Sequence, residues 1–443
     1  MAHIINYNLK NKFKQILNMS IKVGVIGMGT MGSNLALNIG SKHDVIVYNR
    51  TMQKSIDTQR KAKTEEIELN VAYNLIELIN EIKGADKGMI ITMLPAGEVS
   101  GNCMMNIANM LVESKIEHIA IVDGANENHE ISKERTETIE NMGIPYLGVG
   151  ISGGAKGARE GPCMMIGGNK ETYENYESFF DSICASCIMI DGHGNGHLVK
   201  SIHNGIEYVM MQCIGEIYHL YSSIGMTRED IVYKLKFLRD SSVGGFLLDT
   251  TIHALCQNKV DNIYPVAGFN ETCKWTVEYA INNGIYAPAI AASLNSRLGS
   301  LARDDYICPA EEVEVNAVPR NIDKLVEETM EFVFSSAFCQ GKAIISNIET
   351  ETSVDDIYNS WTKGTIVACN GLGKTLNETM MREKVQSARQ LCSFAIENGI
   401  PVPALSESIT YFDTVNNSCN PGIQMIQSQR AAFGEHPVKY FNK

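Results

Sequence analysis

The first half of the chain alternates short apolar runs with segments whose apolar residues recur at helical spacing. Short apolar runs are typical of buried strands, and the amphipathic segments between them are typical of helices. The predicted strands are Ile21–Ile26, Asp44–Tyr48, 89–94, Ile119–Asp123, 146–149 and 164–166. The predicted helical segments between the earlier strands are 33–39, 69–82 and 99–112. Strands that alternate with helices predict a Rossmann-type α/β domain with a doubly wound sheet.

The pattern changes after Lys200, where long amphipathic helical segments continue to about residue 414 without a convincing strand. The clearest helical segments are 207–224, 323–346 and 378–398. The last residues are turn-rich and then basic, with Arg430, His436 and Lys439. The fold class we predict is therefore a Rossmann-type α/β sheet followed by a large all-α domain and a C-terminal tail.

The length of 443 residues suggests two or three domains. We place the Rossmann-like domain at 21–197, the helical dimerisation and substrate domain at 198–414, and the tail at 415–443. Residues 1–20 are rich in asparagine and lysine and lack the apolar core of a signal peptide. They predict an N-terminal extension that is either disordered or has a targeting role.

A polar stripe is expected on one helix in the middle of the chain. From Gly192 the sequence is too rich in glycine for a stable helix, and it then becomes helical in pattern up to Gln212. The residues that share a helical face with Lys200 are His203, Asn204, Glu207 and Tyr208. These groups on one rigid element suit proton-transfer chemistry. The alternative is a solvated polar face with an incidental Lys–Glu pair.

A glycine fingerprint, Gly27-Met-Gly-Thr-Met-Gly32, lies between the first predicted strand and the first helix. In dinucleotide-binding folds the first two glycines allow a tight turn and close approach of a pyrophosphate, and the third lets helix pack on strand. The N-terminus of the helix then faces the phosphates. This context predicts a dinucleotide site.

The second predicted strand ends in Asn49-Arg50-Thr51. NAD-selective folds have Asp or Glu at this point, where it accepts a hydrogen bond from the ribose 2′-hydroxyl. A cation and a hydroxyl in place of that carboxylate favour a 2′-phosphate, which predicts NADP as the cofactor.

Later strand ends supply two more segments, Leu94-Pro95-Ala96 and Asp123-Gly-Ala-Asn126, where coenzyme and substrate would meet. The loop that contains Ser152, Gly153 and Gly154 can offer backbone N–H groups and a hydroxyl to a carboxylate. An ordinary turn is the alternative for this loop.

Composition narrows the class of protein. The net charge of −13, without a basic run, argues against a nucleic-acid partner, and no apolar run approaches the length of a membrane span. Twelve cysteines without framework spacing favour reduced thiols in the cytoplasm. We interpret Cys184 and Cys187 as structural thiols, with a metal or redox pair as the alternative. No carboxylate or histidine cluster has metal-binding spacing, so we expect no metal.

From about residue 21 to 437 the sequence resembles the 6-phosphogluconate dehydrogenases, which belong to the β-hydroxyacid dehydrogenase superfamily. They are NADP-dependent oxidative decarboxylases of the pentose phosphate pathway. The motifs that carry the resemblance are 27–32 with 34–39, 49–51, 151–154 with 157–159, 196–208 and 429–436. The segments around Lys200 and Arg430 are the most specific of these.

The resemblance implies a role for each matching residue. Lys200 would act as general base and then as acid, and Glu207 would protonate the enediol carbon. His203 and Asn204 would orient substrate and nicotinamide. The implied substrate contacts are Asn126, Ser152, Gly153 and Gly154 at the sugar-acid end, with Tyr208, Thr272, Arg297, Arg430 and His436 around the phosphate. The implied coenzyme contacts are Gly27, Met28, Gly29, Thr30, Met31, Gly32, Asn49, Arg50, Thr51, Leu94, Pro95, Ala96 and Asn126.

The resemblance also implies a homodimer, in which Arg430 and His436 reach the active site of the partner subunit. Three positions depart from the family pattern. Asn270 replaces a lysine at the phosphate site, Ala155-Lys156 replaces an acidic pair, and a lysine is missing after Met93-Leu94. We expect Lys274 and Lys156 to compensate for the lost phosphate-site lysine only in part.

Two other functions remain open from the sequence. One is a related β-hydroxyacid dehydrogenase that acts on a different sugar acid. The other is a catalytically weak coenzyme-binding protein, against which the presence of both Lys200 and Glu207 argues.

Overall fold

The computed structural model describes residues 21–257, 260–302 and 315–440. The predicted extension at 1–20 lies outside the described residues. Among the described residues, no helix is long and apolar enough to cross a membrane.

An eight-stranded sheet forms the first part of the protein, with strand order β3-β2-β1-β4-β5-β6-β7-β8. Neighbouring strands are parallel except β6 and β7, which are antiparallel. The strands are β1 Ile21–Ile26, β2 Asp44–Tyr48, β3 Asn70–Val71, β4 Lys87–Thr92, β5 Ile119–Asp123, β6 Tyr146–Ser152, β7 Cys163–Gly168 and β8 Ser186–Asp191. In β4, Met89 and Ile91 pack into the core on one face and Ile90 into the core on the other. Burial of both faces is the reason for the continuous apolar runs of the sequence.

Helices cover both faces of this sheet, as the alternation of patterns predicts. They are α1 Thr30–Gly40, α2 Met52–Thr64, α3 Leu75–Ile82, α4 Glu98–Glu113, α5 His129–Glu140, α6 Gly154–Glu160, α7 Lys170–Glu174 and α8 Glu177–Ile183. Helix α3 begins later than predicted, because the Asn74 side chain caps it by accepting a hydrogen bond from Glu77 N. The short strand β3 takes the place of the expected first turn.

Strand β8 was not predicted from the sequence. Five of its six residues are only partly buried, with Ile190 the exception, whereas the central strands are almost fully buried. Cys187 lies on this strand and donates a hydrogen bond from Sγ to Asp181 Oδ1 at 3.3 Å. Cys184 and Cys187 are both free thiols that pack against the core beneath the sheet, in agreement with a structural role.

Helix α9, Asn195–Ser223, joins the sheet to the helical part of the protein. It starts earlier than the glycine content predicts and includes Gly196. A Cβ at Gly196 would lie 2.4 Å from Gly148 O, and a Cβ at Gly150 would lie 2.2 Å from Lys200 Cβ. The two glycines therefore let the helix pack directly on β6. This contact offsets the low helix propensity of Gly196. The predicted domain boundary after residue 197 falls inside α9 and stays a prediction.

The residues after α9 form helices, as predicted. They are α10 Arg228–Phe237, α11 Phe246–Gln257, α12 Glu271–Asn282, α13 Pro288–Leu301, α14 Ile322–Ile345, α15 Val354–Ser360, α16 Glu378–Glu397 and α17 Pro403–Asn416. Helix α14 packs against α9 and α16. It contributes Phe332, Phe334 and Phe338 to a core that also contains Trp361. A Rossmann-type sheet followed by a large helical region confirms the predicted fold class.

The tail differs from the turn-rich segment that we expected. It contains α18, Pro421–Gly434, whose first turn is capped by Asn420 Oδ1. No residue of α18 is buried, and Ile423, Met425, Ile426 and Phe433 are all more than half exposed. The tail thus contains a helix whose apolar side chains are exposed and which lies apart from the core of the chain.

Candidate active site

The cavity at the carboxyl ends of β1, β4 and β5 has a volume of about 430 Å³. Its lining residues are Gly27, Gly29, Thr30, Met31, Gly32, Asn49, Lys54, Met93, Leu94, Pro95, Gly124, Ala125, Asn126 and Ile151. Most of the predicted coenzyme contacts are among them. Met28 is buried, Arg50 and Ala96 are exposed next to lining residues in the chain, and Thr51 is exposed two residues after Asn49.

The glycine fingerprint shapes this cavity for a dinucleotide. Gly27 has φ +101°, and a Cβ there would lie 2.4 Å from Met93 O. A Cβ at Gly32 would lie 1.9 Å from Gly27 O, so helix α1 can pack against the turn only with glycine. Gly29 is the N-cap of α1, has no side-chain cap, and would direct a Cβ into open space. The free N–H groups of this helix terminus suit a pyrophosphate.

Asn49, at the end of β2, lines the coenzyme cavity. Asn49 Oδ1 accepts a hydrogen bond from Met28 N at 2.9 Å, and Asn49 Nδ2 donates to Thr51 O at 3.0 Å. Arg50 is therefore held beside the cavity with its side chain exposed. Lys54, in the first turn of α2, also lines the cavity, and sequence analysis missed it. Two cations at this end fit the 2′-phosphate of NADP.

Four of the five side chains in the predicted polar stripe of α9 are buried, and the fifth, Glu207, is 15% exposed. Lys200 is 4 % exposed, His203 0 %, Asn204 4 % and Tyr208 2 %. These values exclude the solvated face that the sequence left open. The stripe lies behind the Ser152 end of β6, because α9 packs on that strand.

A chain of hydrogen bonds fixes the orientation of the stripe. Ser152 Oγ and His203 Nε2 are 3.2 Å apart, and His203 Nδ1 lies 3.1 Å from Asn204 Oδ1. An amide oxygen only accepts, so Nδ1 carries the proton and Nε2 accepts from the Ser152 hydroxyl. Burial and the nearby Lys200 charge hold the pKa of His203 well below its usual value, so the ring is neutral.

The chain of hydrogen bonds continues toward the end of the site where the substrate phosphate is expected. Asn204 Nδ2 donates to Thr272 Oγ1 at 2.8 Å, and the Thr272 hydroxyl donates to Asn270 Oδ1. Asn270 N donates to Tyr208 OH at 3.0 Å. Asn270, which stands where the family has lysine, is thus part of an internal neutral network.

The pKa values of Lys200 and Glu207 are shifted in opposite directions. Burial lowers the pKa of Lys200, although the Glu207 carboxylate opposes this effect. Burial raises the pKa of Glu207, although Lys200 and Arg297 oppose it. Both shifts favour the neutral forms, a free amine and a protonated carboxyl, which are the forms that a general base and a general acid need.

Arg297 is the cation closest to Tyr208. Its guanidinium carbon lies 3.5 Å from the centre of the Tyr208 ring, and Nη1 donates to Gly268 O at 3.2 Å. The partly exposed guanidinium is therefore held over the ring next to Asn270. Lys274 instead pairs with Glu271 at 3.0 Å on an exposed part of α12.

The Ser152-Gly153-Gly154 loop turns sharply at the end of β6. Gly153 has φ +112°, and a Cβ there would lie 2.5 Å from Gly364 O, so the loop packs tightly on the helical region. Lys156 is exposed and lies 3.9 Å from Glu160. Sequence analysis gave no indication of Trp361, whose ring contacts His203 edge-on with centres 5.2 Å apart.

Arg430 and His436 make their contacts within the tail. Arg430 Nη1 donates to Gln427 Oε1 at 3.1 Å, and the His436 ring lies edge-on to Phe433. Both side chains are exposed. Their predicted contact with a phosphate stays a prediction.

Comparison with known proteins agrees with this arrangement. Residues 22–192 match the model described as the NAD binding domain of 6-phosphogluconate dehydrogenase, and residues 196–380 and 372–443 match that of the 6-phosphogluconate dehydrogenase C-terminal domain. The chain is 30% identical to 6-phosphogluconate dehydrogenase, decarboxylating 1, of Spinacia oleracea, over 94% of both chains. It is 29% identical to the decarboxylating 6-phosphogluconate dehydrogenase of Staphylococcus aureus, over 96% of this chain and 98% of the relative.

A solved structure of Plasmodium falciparum 6-phosphogluconate dehydrogenase matches with a TM-score of 0.84 and 26% sequence identity. The match covers 95% of this chain and 98% of the Plasmodium chain, which was solved in its apo form, with NADP+ and with 6-phosphogluconate. These matches confirm the resemblance of the sequence motifs: the chain belongs to the 6-phosphogluconate dehydrogenase family.

Proposed function

We propose that this protein catalyses the oxidative decarboxylation of 6-phospho-D-gluconate to D-ribulose 5-phosphate and carbon dioxide, with reduction of NADP. The observation that carries this function is the placement of Lys200 and Glu207 on one face of α9, with Lys200 buried and the Glu207 side chain 15% exposed. Burial lowers the pKa of Lys200 and raises that of Glu207, which favours the neutral amine and the protonated carboxyl that the reaction needs. Membership of the family supplies the substrate class.

Lys200 begins the reaction as the base. Its neutral amine takes the proton of the substrate C3 hydroxyl while C3 loses a hydride, which NADP accepts when bound. The product is a β-keto acid. The Lys200 ammonium then donates its proton to the ketone oxygen, so that the electrons of the breaking bond to carbon dioxide pass into an enediol.

Glu207 completes the reaction as the acid. It lies two helical turns beyond Lys200 on the same face of α9, and its Oε2 is 3.9 Å from His203 Nδ1. The protonated carboxyl delivers its proton to the enediol carbon, which yields the ketose phosphate. His203 and Asn204 hold the substrate and nicotinamide in place, because their own hydrogen bonds fix both side chains.

The substrate lies between two ends of the site. Asn126 and the Ser152-Gly153-Gly154 loop bind the sugar-acid end. The phosphate end is formed by Tyr208, Thr272 and Arg297. In this arrangement Arg297 is the main cation that a single subunit supplies, because Asn270 bonds to Thr272 and Tyr208.

The protein works as a homodimer in which the tail completes the site of the partner. The exposed apolar residues of α18 support this arrangement, since a helix without a buried face gains stability only by docking elsewhere. Docking on the second copy would bring Arg430 and His436 to the phosphate. The free thiols among the described residues agree with the reducing cytoplasm as the compartment.

One observation favours a second candidate function. The network around Asn270 at the phosphate end is uncharged, which would suit an unphosphorylated sugar acid. The second candidate is therefore a related β-hydroxyacid dehydrogenase that oxidises such an acid. A catalytically weak coenzyme-binding protein is disfavoured, because the buried Lys200 and Glu207 would destabilise the fold without a use.

Steady-state assays that cross 6-phosphogluconate and gluconate with NADP and NAD test the proposal. We expect 6-phosphogluconate with NADP to give the highest kcat/KM, with one carbon dioxide released per NADPH formed. Equal oxidation of gluconate would favour the second function. Reduction of NADP without release of carbon dioxide would contradict the decarboxylation step.

A further inference from the structure

A buried ionic cluster lies behind the coenzyme cavity, and no step of the proposed reaction uses it. At its centre is Arg135 of α5, whose side chain is 7% exposed. Nη1 donates to Asp123 Oδ2 at 2.6 Å, and Nη2 donates to Glu127 Oε2 at 3.0 Å. One guanidinium thus bridges two buried carboxylates, one at the end of β5 and one in the loop that follows it.

The two carboxylates hold the chain on both sides of Asn126. Asp123 Oδ1 accepts a hydrogen bond from Ala125 N at 3.0 Å, and Glu127 Oε1 accepts one from Asn128 N at 3.0 Å. Asn126 itself is exposed in the coenzyme cavity, while both of its neighbours are buried. The position of Asn126 is therefore set by the side chains of Asp123 and Glu127.

Glu127 also binds the segment that follows the lining residues Leu94 and Pro95. Its Oε2 atom accepts a hydrogen bond from Gly97 N at 2.8 Å and one from Ser100 Oγ at 3.3 Å. Gly97 directly follows the Leu94-Pro95-Ala96 segment and has φ +86°. It is also the N-cap of α4 and provides no side-chain cap, so Glu127 supplies an acceptor at this helix terminus.

The geometry needs an arginine between the carboxylates. Two buried carboxylates without a cation would repel each other and take up protons. The planar guanidinium meets both at once, which a lysine ammonium does not. Burial alone would raise the pKa of Glu127, but hydrogen bonds from Gly97 and Asn128 and the Arg135 charge lower it. Glu127 therefore remains an acceptor for both backbone donors.

We propose that Arg135 is a positioning residue, which sets the place of Asn126 relative to the 95–97 segment across the coenzyme cavity. It acts through Asp123 and Glu127 and contacts neither substrate nor coenzyme. The inference rests on the proposed function, in which Asn126 contacts both ligands. Displacement of such a group by about 1 Å is enough to lower turnover about 10²-fold.

The test compares Arg135→Lys with Tyr146→Phe in the full-length protein. Tyr146 OH donates to Asp123 Oδ2 at 3.0 Å, so its loss weakens the same cluster but leaves the bonds of Ala125, Gly97 and Asn128 intact. Arg135→Lys keeps the charge but loses the simultaneous hydrogen bonds to Asp123 and Glu127. The readouts are thermal unfolding, NADP binding by calorimetry, and separate kcat and KM values.

We expect Arg135→Lys to weaken NADP binding and to lower kcat, each about tenfold or more. Tyr146→Phe should change NADP binding and kcat by less than about twofold. The two variants should lose a similar amount of thermal stability. Equal kinetic effects of the two variants, or a loss of stability alone in Arg135→Lys, would overturn the proposal.

A second variant covers the case in which Arg135→Lys does not fold. Glu127→Gln keeps the shape of the side chain and the pair between Arg135 and Asp123, but it weakens the bond to Gly97. We expect it to weaken NADP binding about tenfold, and unchanged binding would contradict the inference. Calorimetry needs no substrate, so this result holds even if the proposed substrate is wrong.

An Asn126→Ala background tests whether Arg135 acts through Asn126. There, Arg135→Lys should lower kcat by less than about twofold, because the group that it positions is already gone. Full additivity of the two effects would show that Arg135 does not act through Asn126.

Discussion

The proposed coenzyme half and the proposed substrate half of the site are built in different ways. The coenzyme cavity is lined mainly by the glycine turn and by residues at strand ends, almost all of them within residues 27–126. The substrate half consists of side chains from Ser152, from α9, from the 270–272 segment and from Arg297. Phosphate recognition by backbone N–H groups requires local chain geometry, whereas proton transfer requires side chains in a shared buried environment.

The charged groups of the two halves differ in the same way. Arg50 and Lys54 are exposed cations at the coenzyme cavity, and in the proposed function they only attract an anion. Lys200 is buried, and burial lowers its pKa. The reactivity of Lys200 in the substrate half therefore depends on the surrounding fold, whereas the attraction of an anion by the exposed cations of the coenzyme half does not. Mutations in each half can separate these two cases.

The largest effect is expected from Lys200→Ala, which removes both the base and the acid of the first two steps. Turnover should fall by about 10⁴-fold or more, since one such group contributes about 10²–10⁴-fold. NADP binding, measured by calorimetry, should be unchanged. Loss of coenzyme binding would mean that the two halves are not separable.

Glu207→Gln should lower kcat by about 10²–10⁴-fold, because the carboxyl no longer protonates the enediol. Burial lowers the pKa of Lys200 and raises that of Glu207, so the wild-type rate should rise with pH as Lys200 loses its proton and fall as Glu207 loses its proton. Glu207→Gln should remove the decrease that Glu207 causes in a pH profile of kcat and leave the increase that Lys200 causes. An unchanged decrease would assign it to another group.

Truncation after Gln429 removes Arg430 and His436 and should raise the KM for 6-phosphogluconate about 10²-fold, from the loss of two charge-assisted contacts. Mixed dimers of the truncated chain with Lys200→Ala chains should recover activity, since one shared site is then complete. If verified mixed dimers stay inactive, the tail serves its own subunit.

Arg50→Glu tests the coenzyme half alone. A charge-assisted contact with the 2′-phosphate becomes a repulsion, so kcat/KM with NADP should fall about tenfold to a hundredfold. The value with NAD, which lacks that phosphate, serves as the control and should change little. A wild-type preference for NAD would show that the end of β2 was misinterpreted.

The smallest effect is expected from Asn270→Lys, which adds the cation that the family has at the phosphate end. It should lower the KM for 6-phosphogluconate about tenfold with little change in kcat, as expected for a contact made equally in ground and transition states. The KM for gluconate should stay the same. A drop in kcat would indicate that the Asn270 network with Thr272 and Tyr208 positions the substrate.

Much of the fold could be predicted because its signals are local. The buried strands of the sheet are apolar runs, and the first glycine turn lies directly between strand and helix. Strand β8 was missed because its residues are only partly buried. The tail helix was missed because turn residues flank it and its apolar side chains contact no core of the same subunit.

From the sequence alone we predicted the two parts of the fold, the glycine turn, Arg50 at the end of β2 and the shared helical face of Lys200 and Glu207. Helical periodicity places residues on one face but leaves open whether that face is buried. The packing of distant elements shows that the face lies against β6, with Gly150 and Gly196 allowing the close contact. It also placed Trp361 against His203 and Arg135 between Asp123 and Glu127. Backbone geometry is encoded by neighbouring residues, whereas the pKa of Lys200 depends on which distant elements exclude water from it.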